Sequence, residues 1–363
     1  MAQIDNIINV NSVWNSTTSL PILESVTLKV WIYSGIQGNS VLDNNDLAAS
    51  NARLLDPTYT LRGTAILNGT DKVASFDIAP LIRDYVESEL NQTHNGDNAV
   101  WVDLQRIATI GGQELILASE HYLALDGYEY TMDIVGNQYD EEVRMSNIQG
   151  DPILVSEGSV ISIPVLSSLV DSFKYLEQGL LVTSDVLALS DDSSEQILYI
   201  ESDINKKPDW LEVTLRDGGG LKFPIQQICE ERYEHVKLTF VNRLGAFQDV
   251  WFFANSKRAL QVKSDNWNRR NLVSGGGAYR STTVKNITNV NETITLNSGF
   301  YPESSNVVFE ELIQADNVWI TKGIETFPIL IKNSGFNFQD SNTNKAINYT
   351  ISFEYAFNKM KSL

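Results

Sequence analysis

The stretch HVKLTFVNRLGAFQDVWFFA, His235–Ala254, decides how the later half of the chain is organised. Its first apolar run, Val236–Val241, alternates as a half-buried strand does, and its second run, Phe247–Phe253, is aromatic and β-branched. The connection between the runs contains Asn242 and Gly245, which adopt positive φ at low cost. The stretch therefore predicts a β-hairpin whose second strand is an inner strand covered on both faces.

The first part of the chain predicts antiparallel strands and one helix. Turn residues at Gly111-Gly112 and Asp126-Gly127 each separate two strand-like runs. Asp77 is a candidate N-cap, because an apolar stripe at helical spacing follows it. The expected strands of this part are Val26–Tyr33, Tyr59–Arg62, Ala99–Ile110, Glu114–Ala118, His121–Leu125 and Tyr128–Met132.

The middle and last parts continue the strand pattern. A second helix is expected over Glu303–Gln314, and strict alternation over Ile347–Phe357 predicts one long strand with a buried face. The other expected strands are Ser159–Val165, Phe173–Leu176, Leu180–Val182, Ile197–Glu201, Leu211–Leu215, Asn291–Leu296, Val318–Thr321 and Phe327–Ile331.

These patterns predict a mainly β fold built from β-sandwich domains with few short helices, and with α+β elements in the first and last domains. We expect an N-terminal sandwich with one helix over residues 1–145 and an immunoglobulin-like sandwich over 146–255. A basic exposed arm or linker over 256–277 then leads to a C-terminal β domain with one helix over 278–363.

Composition excludes several classes of protein. The chain has 363 residues, a net charge of −19 and 42% hydrophobic residues, which suits folded domains and disfavours a nucleic-acid binder. One cysteine and three histidines rule out the usual zinc sites and an intramolecular disulfide framework. We expect no transmembrane segment, because no apolar run reaches about 18 residues, and no signal peptide, because the N-terminal residues lack a basic flank and an unbroken apolar core. We also expect no cofactor.

The chain contains no local catalytic motif, so we expect no enzymatic activity. His94, His121 and His235 lie in separate segments, and surface or strand-end roles fit them better than a catalytic triad. The acid runs Asp43–Asp46 and Asp191–Glu195 read as solvated loops, because their spacing matches no calcium cage. Cys229, the single cysteine, is expected to be a buried apolar residue.

One basic segment stands out in this acidic chain. It favours either a solvated loop or an arm that docks on an acidic patch of a neighbouring subunit, and nucleic-acid contact ranks below both. The candidate subunit-interface residues are Lys257, Arg258, Lys263, Trp267, Arg269 and Arg270.

Four segments resemble virion structural proteins of tailed bacteriophages of Bacteroidetes and marine bacteria. They are Phe76–Val86 (FDIAPLIRDYV), Leu238–Phe253 (LTFVNRLGAFQDVWFF), Ile294–Ile320 (ITLNSGFYPESSNVVFEELIQADNVWI) and Ala346–Phe357 (AINYTISFEYAF). The resemblance rests on apolar and turn residues, and it implies a tail, baseplate or neck component that assembles in rings and has no active site.

The leading hypothesis is therefore a structural virion subunit, made in the bacterial cytoplasm, which contacts itself in a ring-like homo-oligomer and contacts other virion proteins. One alternative is a receptor- or carbohydrate-binding virion protein that stacks sugars on Trp14, Trp31, Trp101 or Trp210, although core roles suit these residues better. The other alternative is a β-sandwich hydrolase, which needs convergent carboxylates or a histidine-centred set.

Overall fold

The computed structural model describes residues 7–9, 15–20, 22–33, 56–68, 70–86, 90, 99–128, 152–166, 169–186, 197–202, 207–268, 283–323, 325–332, 337 and 346–357. As predicted, these residues are mainly β. The chain divides into two compact units: residues 1–227 with 241–248, and residues 228–240 with 249–363. This division into two units differs from the four segments expected from the sequence, whose boundaries remain a prediction. The described part of the basic segment belongs with the C-terminal part because it forms a strand of the same sheet.

The first unit begins with two sheets, one in the order β1-β8-β7-β3-β4 and one in the order β2-β6-β5. Pairing is antiparallel except between β1 and β8. The elements are β1 Ile7–Asn9, β2 Asn15–Leu20, β3 Ser25–Tyr33, β4 Tyr59–Thr64, β5 Ile66–Asn68, β6 Asp71–Asp77, α1 Ala79–Arg83, β7 Ala99–Ile110 and β8 Gln113–Leu125.

The alternation of side chains along β3 explains how the core of these two sheets forms. Val26, Leu28 and Val30 of β3 point to one face, are fully buried and pack with Phe76 of β6. The hairpin at Gly111-Gly112 is confirmed, with both glycines at positive φ.

Two local expectations are wrong. Helix α1 begins after Ile78, and Asp77 is the last residue of β6 rather than the N-cap. Strand β8 continues to Leu125, because its residues pair with β7 on both sides of one register shift at Leu117. The expected strand Tyr128–Met132 lies almost wholly outside the described residues.

The rest of the first unit adds a five-stranded sheet in the order β12-β11-β14-β15-β9 and the pair β10-β13. Their inner faces share one apolar core around Tyr175, whose hydroxyl donates to the Ile200 carbonyl at 2.8 Å. Sequence analysis missed β15, in which Pro224 argues against a strand. The strands are β9 Ile153–Ser156, β10 Ser162–Leu166, β11 Val170–Glu177, β12 Leu180–Val186, β13 Ile197–Glu201, β14 Trp210–Leu215 and β15 Gly220–Ile228.

The second unit is built on a seven-stranded sheet in the order β17-β16-β21-β22-β24-β19-β18. Helix α2 packs its Phe309 ring edge-on against Phe252 and Tyr301, as its apolar stripe predicted. The elements are β16 Val236–Val241, β17 Phe247–Phe252, β18 Lys257–Asn268, β19 Thr283–Asn297, β20 Tyr301–Pro302, a 3-10 turn Glu303–Ser305, α2 Asn306–Gln314, β21 Val318–Lys322, β22 Glu325–Ile331, β23 Ala346–Ile347 and β24 Thr350–Tyr355.

The hairpin of β16 and β17 is confirmed, and its turn has a definite mechanism. Gly245 adopts φ +82°, whereas Asn242 acts through its side chain instead of through positive φ. The Asn242 Oδ1 atom accepts hydrogen bonds from the backbone N–H groups of Leu244 and Ala246, both at 3.0 Å. Its Nδ2 atom donates to Gln248 at 3.1 Å, which holds the two strands together at the turn.

Two expectations about the second unit need correction. Strand β17 is buried on both faces but lies at one end of the sheet order, so among the described strands it is not an inner strand. The expected strand Ile347–Phe357 is interrupted between β23 and β24, because the backbone of Tyr349 bonds to Ser298 instead of continuing a ladder. The predicted buried face is confirmed at Ile351 and Phe353, which are fully buried, whereas Phe357 is exposed.

Candidate assembly surface

Strand β18 and the adjoining part of β19 form an extension of the seven-stranded sheet, here called the β-arm (residues 257–268 and 283–292). Strand β24 pairs with β19 only over residues 293–297, so in the described chain the β-arm has two strands. Every described side chain of β18 is exposed. The described part of the basic segment is thus an exposed strand rather than a loop, and residues 269–277 lie outside the described chain.

The cations of the β-arm have different surroundings. The Arg258 guanidinium binds the Glu292 carboxylate across the two strands, with Nε at 2.6 Å. This hydrogen bond and the attraction of the nearby charge raise the pKa of Arg258 above its usual value. Arg258 therefore binds a carboxylate of its own sheet, and Lys257 and Lys263 are exposed residues of the same strand.

Apolar side chains also lie exposed on the β-arm. Leu260 is 59% exposed and Val262 is 40% exposed, on the face that carries the buried Ile294 where the sheet has more strands. Trp267 is 53% exposed near the far end of β18. The β-arm thus combines a cationic character with an apolar strip that the described part of the chain does not cover.

The two ends of the seven-stranded sheet differ in how their backbone groups are satisfied. At the β17 end, the Tyr301 hydroxyl accepts from the Trp251 N–H at 3.1 Å and donates to the Trp251 carbonyl at 2.8 Å. The Tyr199 hydroxyl accepts from the Phe247 N–H at 2.9 Å. At the β18 end, β19 is the only strand of the described chain that pairs with β18, and the other side of β18, which has no strand beside it among the described residues, is here called the open edge.

The remaining interface candidates and the tryptophans lie in different surroundings. Arg269 and Arg270 lie outside the described residues, as does Trp14. Trp31 and Trp101 are buried in the first unit, as the core interpretation predicted, whereas Trp210 is 42% exposed.

The candidate chemical groups do not converge in the described part of the chain. His235 places Nε2 at 2.5 Å from the Glu230 carbonyl and its ring against Phe253, whereas His94 and the side chain of His121 lie outside what is described. Cys229 is exposed, which corrects the expectation of burial; it follows β15 at a strand end. The described residues contain no cluster of histidine, cysteine and carboxylate groups suited to a metal, and the two acid runs lie outside them.

Sequence analysis missed the tyrosines that close the β17 end. No local pattern marks Tyr301, because its hydroxyl meets Trp251 across 50 residues of sequence. A weak signal for β18 was present in the alternation of Arg258, Leu260 and Val262, but the alanine and glutamine between them are not strong strand formers.

None of the helices in the described part of the chain is long and apolar enough to span a membrane. No protein-family model and no curated protein matches the chain.

Proposed function

We propose that this chain is a structural subunit of a tailed-phage virion, a tail, baseplate or neck ring component that assembles through the β-arm and its sheet edge. Its neighbours are further copies of itself and other virion proteins, and its site of action is the virion after synthesis in the bacterial cytoplasm. The proposal assigns it no catalytic role and no nucleic-acid partner.

The open edge of β18 is the observation that carries this proposal. An exposed strand edge accepts a further strand through its main-chain groups, and proteins normally protect such edges. Here the β17 end is closed by tyrosine hydroxyls, while β18 combines its open edge with exposed Leu260 and Val262. Lys257 and Lys263 add local attraction to a chain whose net charge is −19.

The mass of the purified protein's assembly, measured by native mass spectrometry, tests this proposal. A closed assembly of six or twelve copies supports a ring component, because a heterologous contact that closes gives cyclic symmetry. A chain that stays monomeric from micromolar to millimolar concentration contradicts self-assembly. A trimer instead favours a receptor-binding component.

An exposed apolar row supports the second candidate, a carbohydrate- or receptor-binding virion protein. Leu181, Leu176, Trp210 and Pro224 lie side by side across β12, β11, β14 and β15. Leu181 is 60% exposed, Trp210 is 42% exposed, and Leu176 and Pro224 are half-buried, so the Trp210 indole has apolar neighbours on both sides and suits stacking on a sugar face.

A glycan array probed with the wild-type protein tests this second candidate. Binding that Trp210→Ala abolishes and Leu180→Ala preserves would support it, since Leu180 is exposed on the same strand as Leu181 but outside the row. Equal binding by both variants, or none by the wild type, would contradict it.

A further inference from the structure

We infer that β18 pairs antiparallel with β18 of a second copy of this chain, around a twofold axis at Gln261. The inference rests on the self-association in the proposed function and names the partner strand and its register. It describes one contact of the assembly. Because a twofold contact joins only two copies, any ring needs a second, different contact.

The open edge limits the partner to an extended strand. Antiparallel partners are joined by hydrogen bonds between their main-chain groups, and directly opposed residues place their Cα atoms about 4.5–5.5 Å apart. The β-arm offers such an edge over 12 residues of β18, Lys257–Asn268. A strand of this length exceeds the usual strand of about five or six residues, so it provides a long ladder.

The sequence of β18 is self-complementary in one register. With Gln261 opposite Gln261 of the second copy, Lys257 lies opposite Asp265 and Leu260 lies opposite Val262. Twofold symmetry repeats each pair, which gives two ion pairs and two apolar pairs in the contact. Opposite charges and apolar side chains are the cross-strand neighbours that stabilise a sheet.

Neighbouring registers lose this match. An axis at Val262 places Lys257 opposite Trp267 and Leu260 opposite Ser264. An axis at Leu260 places Lys257 opposite Lys263, where like charges repel. A parallel arrangement in register opposes every lysine to itself.

The chosen register also preserves the faces of the sheet. Directly opposed residues point to the same face, so Leu260 and Val262 of both copies form one continuous apolar strip. This strip extends the face that carries Ile294, and Arg258 keeps its bond to Glu292 within each copy. The contact therefore covers the apolar side chains that each β-arm alone leaves exposed.

Disulfide trapping tests the register directly. In a Cys229→Ser background, Gln261→Cys is expected to oxidise to a disulfide-linked dimer, because opposed Cα atoms fall within the disulfide range of about 4.4–6.8 Å. The non-reduced band then shifts from 40.6 kDa to twice that mass. Ala259→Cys and Lys263→Cys are the matched controls: each alone is expected to remain unlinked, and a mixture of the two is expected to link, because these positions oppose each other.

A Gln261→Cys variant that stays monomeric on the gel would overturn the inference, and so would equal linkage of Gln261→Cys and Ala259→Cys. If Gln261→Cys stays monomeric on the gel while the wild-type protein has a native mass above that of the monomer, this register is rejected and the proposed function survives. An exclusively monomeric native mass for the wild type rejects both. Linkage of β18 only to a strand of another protein likewise overturns the twofold contact.

Discussion

The hydroxyl of Tyr301 satisfies both backbone groups of Trp251, accepting from its N–H at 3.1 Å and donating to its carbonyl at 2.8 Å. At Trp251, the Tyr301 side chain thus supplies the two hydrogen bonds that a neighbouring strand would otherwise make with β17. Tyr301 and Trp251 are both buried, so water does not replace these bonds when the hydroxyl is removed.

Tyr301→Phe is therefore expected to lower the free energy of unfolding by about 1–3 kcal/mol, the cost of leaving buried backbone groups without partners. Denaturant titration measures the change. Tyr233→Phe is the matched control, because Tyr233 is 41% exposed, and it is expected to change stability little. Equal effects of the two substitutions would show that the Tyr301 hydroxyl does not hold this edge.

The buried phenol of Tyr301 is also expected to make the folded protein less stable at high pH. Burial raises the pKa of Tyr301 above its ordinary value near 10, so the folded protein keeps a phenolic proton that the unfolded chain releases. Above about pH 10 the unfolded state binds fewer protons, and the free energy of unfolding falls as pH rises. Thermal melts of the wild type and Tyr301→Phe between pH 9 and about 11 measure this slope, which should be smaller in the variant.

Asn242→Ala is expected to destabilise the first unit through the hairpin turn. The substitution removes the acceptor of the Leu244 and Ala246 N–H groups and the donor to Gln248, at a fully buried position. Each buried group left without a partner costs about 1–3 kcal/mol. Chemical denaturation measures the loss, and an unchanged midpoint would contradict this account of the turn.

Ile351→Asp is expected to prevent soluble folding of the second unit. Ile351 is fully buried on β24, where an unpaired carboxylate meets no compensating charge among the described neighbours. Ser352→Asp is the control, because Ser352 lies on the opposite face of the same strand and is only half-buried. A soluble Ile351→Asp protein with a normal melting curve would show that this face is not core.

Neutralising the basic segment is expected to weaken assembly while preserving the fold. Lys257, Lys263, Arg269 and Arg270 are replaced by glutamine, and Arg258 is kept because its loss would leave the buried Glu292 unpaired. Sedimentation velocity at equal protein concentration compares the oligomer fractions.

Arg62→Gln combined with Lys174→Gln is the control for this variant, since both side chains are exposed in the first unit. The control is expected to keep the wild-type oligomer. An unchanged oligomer in the fourfold variant would show that the cations do not contribute to assembly.

The elements predicted best are those whose signal is local. Val26–Tyr33 alternates and forms β3, and the apolar runs around Asn242 and Gly245 form the β16–β17 hairpin. Long-range partners were not predictable in this way. Periodicity does not show that Tyr301 reaches Trp251, nor that Ser298 interrupts the last strand at Tyr349.

The candidate surface was predicted by its charge but not by its structure. Lys257, Arg258 and Lys263 marked the segment, whereas its strand conformation follows from pairing with β19, which the sequence showed only over Asn291–Leu296. The Arg258–Glu292 bond depends on that pairing, so sequence analysis counted Arg258 as a cation for a partner subunit.

The native mass of two matched lysine variants tests the central claim, self-assembly through β18, most directly. Leu260 and Leu330 are 59% and 52% exposed on the same sheet, but only Leu260 lies on β18. Leu260→Lys is expected to oppose strand addition, because it places a charge opposite the apolar Val262 of the second copy, whereas Lys257 lies opposite the carboxylate of Asp265. The account predicts that Leu260→Lys reduces the assembly to smaller species while Leu330→Lys keeps the wild-type mass. A wild-type assembly that persists unchanged in Leu260→Lys would contradict it.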